Sequence, residues 1–171
     1  MVKDYFDKHV EIYKRLDLES FESAIKLIHK IVVGKGKVFT CGNGGSASDA
    51  LHFSGEFVSK FKTDKRSPLN CICLNSNISA ITSIGNDFNF KKIFSRQLSA
   101  HGFSGDLLFL FSTSGKSLNI IEAAKIAKKM GIKIILFTGV KKTNLHDFCD
   151  IIFQVKSDKT DLIQEAHIFY Y

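Results

Sequence analysis

Apolar residues recur along this chain in two rhythms. Over 20–33, Phe21, Ala24, Ile25, Ile28, Ile31 and Val32 follow the i, i+3, i+4, i+7 spacing of one helix face, with Ser20 as the expected N-cap and Gly34-Lys35-Gly36 as the stop. A weaker amphipathic pattern over 4–16 predicts a short helix before it. From residue 38 the rhythm changes to short unbroken apolar runs, at 38–41, 71–74, 107–111, 132–137 and 151–155. Helical patterns separate them, at 46–60, 78–84 with 90–100, 117–130, briefly 145–148, and from 160 onward. Continuous apolar strands alternating with helices predict a parallel sheet covered on both faces. We therefore expect one doubly wound α/β domain over 1–171, with five parallel strands in a core from about 37 and an N-terminal helical arm over about 1–33. Such sheets bind ligands at the carboxyl ends of their strands, where the chain order reverses. That singles out the loops after the first three strands.

Composition narrows the function classes. No apolar run approaches the roughly 20 residues that cross a bilayer, and the N-terminus, Met1 to Lys8, mixes charges without a signal-peptide core. A cytoplasmic protein is expected, with no membrane partner. The four cysteines agree. Cys71 and Cys73 alternate onto one face of a strand, Cys41 ends another strand and Cys149 stands alone, so none has metal or redox-pair spacing and all are expected as packed thiols. The formal charge of +7 suits an anionic partner. Lys125, Lys128, Lys129 and Lys133, however, fall at and just after a helix C-terminus, where cations are favoured anyway. Only Arg66 and Arg96 follow Arg15, and none is interleaved with aromatics, so nucleic acid is not the expected partner.

The loops carry the chemistry. After the first strand comes Cys41-Gly42-Asn43-Gly44-Gly45-Ser46, whose glycines let backbone amides approach a ligand at a helix start. It lacks the lysine of a P-loop, and glycines alone fit a plain strand-to-helix turn as well. After the third strand, Ser112-Thr113-Ser114-Gly115-Lys116-Ser117 holds four hydroxyls in six residues. Capping the next helix needs one or two of them; the set suits a phosphate cradle. His52 and Glu56, at i and i+4, share a helix face and suit an acid/base pair or a metal, though a surface ion pair has the same spacing. Gly85-Asn86-Asp87 would be an ordinary turn were it not tied to the second strand.

Together these pieces resemble the SIS (sugar isomerase) domain, in particular the bacterial phosphoheptose isomerases. The matching blocks run in order over nearly the whole chain: Gly42-Asn43-Gly44-Gly45-Ser46, Asp49-Ala50-Leu51-His52-Phe53-Ser54-Gly55-Glu56, Ile84-Gly85-Asn86-Asp87-Phe88, Phe94-Ser95-Arg96-Gln97, Ser112-Thr113-Ser114-Gly115-Lys116-Ser117-Leu118-Asn119, and Ile163-Gln164-Glu165-Ala166-His167-Ile168. The resemblance implies a flavodoxin-like SIS fold and conversion of sedoheptulose 7-phosphate to a manno-heptose 7-phosphate, toward heptose for lipopolysaccharide or capsule. It implies that Ser112, Thr113, Ser114 and Ser117 hold the phosphate, and that Asn43, Gly44, Gly45, Ser46, Asn86, Asp87 and Gln164 contact the sugar. Glu56 would be an acid/base group one loop away from the phosphate. His52, Glu56 and Gln164 would be ligands of a zinc ion found in some members. The family is usually a homotetramer with sites shared between subunits.

The match has departures. The resemblance places a second acid/base histidine, also the fourth zinc ligand, eight residues after Gln164, and the sequence ends at Tyr171. A shortened last helix lacking that histidine is therefore expected, which leaves present activity open. His167 matches a different position and is expected on the helix surface or at an interface. Leu118 stands where a proline is usual, and Leu162 where an arginine is common. The alternatives are a non-catalytic SIS module for sugar-phosphate sensing or protein interaction, and an isomerase of another sugar phosphate. Glu56 together with Gly85-Asn86-Asp87 favours the enzyme lineage.

Overall fold

The computed structural model describes residues 2–60, 62–63 and 65–171; Met1, where the predicted arm begins, lies outside the described residues, as do Phe61 and Asp64. Two helices, α1 (Val2–Tyr13) and α2 (Leu18–Val33), precede the alternating part. Then follow β1 (Val38–Gly42), α3 (Gly45–Val58), β2 (Cys71–Cys73), α4 (Ile78–Asp87), α5 (Ile93–His101), β3 (Leu107–Ser112), α6 (Leu118–Met130), β4 (Lys133–Thr138), β5 (Ile151–Gln154) and α7 (Thr160–Tyr170). Short 3-10 turns at Phe90–Lys92 and Asn144–Phe148 fill the gaps before α5 and β5. All strands pair in parallel, in the order β2-β1-β3-β4-β5. The order reverses between β1 and β3, so the crevice where a ligand can enter lies between the loops that follow them.

The sheet is apolar on both faces because alternate residues of each strand feed two separate cores. Val38, Leu107, Phe109, Phe111, Ile135, Phe137 and Phe153 face α2, α3 and α7. Phe39, Cys41, Leu108, Leu110, Ile134 and Leu136 face α4, α5 and α6. On the first face the register places Phe111 beside Phe137 and Phe137 beside Phe153. Their rings stack at 4.7 and 4.9 Å, a cross-strand ladder that fixes the spacing of three strands. The helical arm joins this core: Ala24 and Ile31 of α2 are buried in it, and α1 lies along α7 through Tyr5 Oη donating to Asp161 at 2.9 Å.

Three expectations shift. The N-cap of α2 is Asp17, not Ser20, because the Asp17 carboxylate accepts the Ser20 N–H at 3.0 Å and satisfies it from three residues upstream. Gly85-Asn86-Asp87 closes α4 as its last turn instead of forming a free turn. His167 is not on the surface: it is fully buried, its ring against Phe111 and Phe137. Glu165 and Ile168 take the outer side of α7 and turn His167 inward. All four cysteines are free thiols; burial raises Cys71 and Cys149 to about 12, so both stay protonated. Among the described residues no helix is long and apolar enough to cross a membrane.

Candidate active site

The carboxyl edge of β1 is fastened from three sides. Gly42 donates its N–H to Asn75 Oδ1 at 3.1 Å and accepts from Asn75 Nδ2 at 3.0 Å, so a side chain after β2 continues the ladder where the strand stops. The Asn43 side chain pairs with that of Asn119, in the first turn of α6, by two reciprocal bonds of 2.9 and 2.8 Å. Gln164 of α7 comes against Gly45 so closely that a Cβ there would meet its amide. The first loop, the start of α6 and the last helix thus converge, bringing Asn43, Gly44, Gly45, Ser46 and Gln164 together.

The hydroxyl loop borders the same crevice. Ser112 ends β3 and is buried, and its Oγ accepts the Gly115 N–H at 3.2 Å. Gly115 has φ +63°, the left-handed region, and Thr143 Oγ1 donates to its carbonyl at 2.9 Å, pinning the loop from the β4 side. Ser114 Oγ accepts the Lys116 N–H at 3.2 Å, which leaves its own proton free to be donated. Ser117 is the N-cap of α6, yet its side chain makes no capping hydrogen bond. Its hydroxyl and the amides of Leu118 and Asn119 remain for an anion. A cavity of about 140 Å³ opens beside the loop, lined by Thr113, Ser114, Lys116, Lys141, Ser157 and Thr160 among others. Sequence reading had no reason to mark Lys141; only the fold brings the loop after β4 to the one after β3.

Glu56 is placed otherwise than expected. It lies eleven residues after Gly45 on α3, so it stands about 16 Å along the helix axis from the first loop. Leu69 N–H donates to Phe57 O at 3.1 Å, and the Asn70 carbonyl bonds the start of β1, so Glu56 sits toward the amino edge of the sheet. The expectation of an acid one loop away from the phosphate is corrected: three helical turns intervene. Its immediate setting is a constellation of its own. His52 Nε2 is 3.3 Å from Glu56 Oε1, and His52 Nδ1 is 3.4 Å from Tyr171 Oη. Tyr171 donates to Asp49 Oδ1 at 3.1 Å. Asp49 is buried, and burial raises its carboxyl while the Tyr171 bond opposes the rise. Arg66 donates to the carbonyls of Glu56 at 2.7 Å and Phe57 at 3.0 Å, closing the end of α3. Tyr171 and Arg66 carried no motif signal.

Asn86 and Asp87 are exposed at the end of α4 and bond each other at 2.7 Å. Their helix starts at the carboxyl edge and runs away from it, and among the described residues no hydrogen bond or ion pair joins them to the two loops. The zinc ligands suggested by the resemblance divide in the same way. His52 and Glu56 adjoin, but Gln164 rests at Gly45, seven residues or about 10 Å along α3 from His52. Among the described residues no group of three His, Cys, Asp or Glu could hold a metal. The three residues do not close a site within one chain.

The chain matches the family model described as "SIS domain" over residues 4–139. It is 43% identical over 165 residues to a phosphoheptose isomerase of Campylobacter concisus, covering 96% of this chain and 84% of that one. It is 46% identical over 152 residues to that of Clostridium acetobutylicum, covering 88% and 76%. Among solved structures, the phosphoheptose isomerase of Neisseria gonorrhoeae superposes with a TM-score of 0.91 at 34% identity, and that of Francisella tularensis with 0.92 at 32%. Each superposition covers 99% of this chain and 91% of the other.

Proposed function

This chain belongs to the SIS-domain phosphoheptose isomerases, and we propose that it converts sedoheptulose 7-phosphate to D-glycero-D-manno-heptose 7-phosphate in the cytoplasm, for lipopolysaccharide or capsule. The carrying observation is the hydroxyl loop at the β1–β3 reversal, with Ser117 left unbonded at the head of α6. In this reading Ser112, Thr113, Ser114 and Ser117 hold the phosphate and Lys116 adds charge. Asn43 and Gln164 contact the sugar. Binding energy from the phosphate positions carbons that react elsewhere on the molecule.

The chemistry is a proton transfer. A carboxylate takes a proton from C1 of the ketose, giving a 1,2-enediol, and returns a proton to C2, while a hydroxyl proton moves from O1 to O2. Glu56 is the base, and His52 beside it carries the oxygen-bound proton. C1 and phosphorus of the heptulose phosphate are eight bonds apart, at most about 10 Å. Glu56 lies some 16 Å along α3 from the first loop, a longer span than this, which favours a base supplied by a second copy. Glu56 therefore acts on sugar held by a second copy, as do the exposed Asn86 and Asp87. The family's usual homotetramer with shared sites meets this need. Zinc belongs to an alternative proposal, in which His52 and Glu56 would be two of its ligands and Glu56 would not act as a free base. The ion would polarise the carbonyl oxygen, and no step above passes through it.

The test is incubation with sedoheptulose 7-phosphate in D2O. Aldoheptose 7-phosphate carrying deuterium at C2 is expected. Binding without exchange or turnover would leave a sensing module as the better reading, and no binding at all would remove the substrate assignment.

A further inference from the structure

We propose that Asn119 is a positioning residue for the sugar: through Asn43 it fixes where the free donor and the free acceptor of the amide after β1 point. The ligand named here rests on the reading above; the geometry does not. Asn119 is 3% exposed, in the first turn of α6. Its Oδ1 accepts the backbone N–H of Ile120 at 3.0 Å, a role only the oxygen end of the amide can fill. Its Nδ2 must then point to Asn43, and it donates to Asn43 Oδ1 at 2.8 Å. Asn43 Nδ2 returns a bond to Asn119 Oδ1 at 2.9 Å. Turning Asn43 over would set N–H against N–H and oxygen against oxygen, so one backbone amide of α6 dictates the orientation of a side chain on another loop.

A primary amide has two N–H groups and two main acceptor sites. The pair consumes one of each on Asn43 and leaves one donor and one acceptor. Asn43 is only partly buried at the β1–β3 crevice, so these two groups remain for a ligand. The unused N–H and the unused acceptor site lie on opposite flanks of the amide, where one can donate to a sugar oxygen and the other accept from a sugar hydroxyl. The same helix end borders the hydroxyl loop, so the phosphate contact and the sugar contact are built on one rigid element.

Asn43→Ala, Asn119→Ala and the double variant form a thermodynamic cycle, read as affinity for sedoheptulose 7-phosphate and, in parallel, for inorganic phosphate. Asn119→Asp keeps an oxygen facing Ile120 and replaces the donor to Asn43 by a charged acceptor, so it serves where the alanine variant does not fold. Each single variant should weaken heptulose-phosphate binding about tenfold, the double variant no further than Asn43→Ala, and phosphate affinity should hold. The 15N side-chain amide signals of Asn43, observed without ligand, should be resolved in the wild type, move to the position of free amides in Asn119→Ala, and shift while staying bonded in Asn119→Asp, whose carboxylate still accepts from Asn43. Additive losses, or Asn43 signals indifferent to Asn119, overturn the proposal. A wild type that binds phosphate but not the heptulose phosphate sinks the substrate assignment instead, and the amide signals still decide this one.

Discussion

The side-chain amide of Gln164 lies directly over the backbone of Gly45: a methyl group on residue 45 would come within 2.2 Å of Gln164 Nε2. The contact ties the last helix to the first loop across 119 residues of sequence, and it makes the absence of a side chain at 45 a condition for the place of Gln164. The obstructing atom is the far end of a flexible side chain, so Gly45→Ala should leave the fold intact and push the amide aside. We expect turnover to fall by about a hundredfold, the scale of loss that a displacement of about 1 Å produces in an aligned site. The melting temperature should stay close to the wild-type value. Steady-state kinetics with a thermal melt checks this. A full-rate Gly45→Ala enzyme would mean that Gln164 has no part in the reaction.

Ser117 separates the two readings of the hydroxyl loop. An N-cap serine that bonds its helix costs about 1 kcal/mol when replaced by alanine. Ser117 makes no such bond. Ser117→Ala should therefore leave urea stability almost unchanged and weaken phosphate affinity about tenfold, since a hydrogen bond to a charged group contributes about 1.5–3 kcal/mol. The opposite pattern, stability lost and affinity kept, would return this hydroxyl to capping.

Much of this was legible in the chain. Strand positions followed from unbroken apolar runs such as Leu107–Phe111, because a strand buried on both faces has no polar alternation to hide it. The hydroxyl loop was visible because it carries more polar groups than one helix start can use. Three features lay beyond the reach of local pattern. Asp17 displaced Ser20 as the cap because either residue could serve and only the backbone path decides. His167 was expected on the helix surface or at an interface, and its burial in the core depends on which side of α7 meets the Phe111–Phe137 ladder. Asn75 and Asn119 gave no signal of their own, since an asparagine that bonds another loop looks, in sequence, like any turn residue.

Shared sites predict complementation. Glu56→Gln should abolish turnover and leave phosphate affinity intact, while Ser114→Ala should weaken phosphate binding and leave Glu56 sound. If the two side chains serve one substrate from different copies, co-refolding the two variants in equal amounts gives about a quarter of the sites both intact groups. Turnover should then rise well above that of either variant alone. Mixtures no better than their parents would place both groups in one chain's site and contradict the spacing along α3.

Arg66 closes α3 from outside the helix. Its guanidinium donates to Glu56 O at 2.7 Å, Phe57 O at 3.0 Å and Ser59 O at 3.3 Å, carbonyls that the helix end leaves open, and to Ser67 O in its own loop at 2.9 Å. Arg66→Met should cost about 2 kcal/mol of stability in urea. Arg66→Lys should restore only part of it, because an ammonium cannot spread over four acceptors as a planar fork does. Equal stability of the lysine variant and the wild type would show that charge at the helix end, not the fork, matters.

His167 gives the fold a pH dependence of known sign. Burial holds its folded-state pKa near 4, with the Thr138 backbone weakly opposing, against 6.5 for a free imidazole. Its nitrogens have no hydrogen-bond partner of good geometry. Facing it are the apolar rings of Phe111 and Phe137, so no neighbouring charge can take up the proton's cost. The proton binds the unfolded chain first. The stability that comes from keeping the ring neutral is therefore complete above pH 6.5 and lost as the pH falls toward 4. The slope is about 1.4 kcal/mol per pH unit, or roughly 3 kcal/mol over the window. His167→Leu removes the titrating group while keeping an apolar body against the ladder. Urea denaturation between pH 7 and pH 4 should show a flatter profile for this variant than for the wild type. Parallel profiles would mean that the imidazole reaches water or a partner when it is charged.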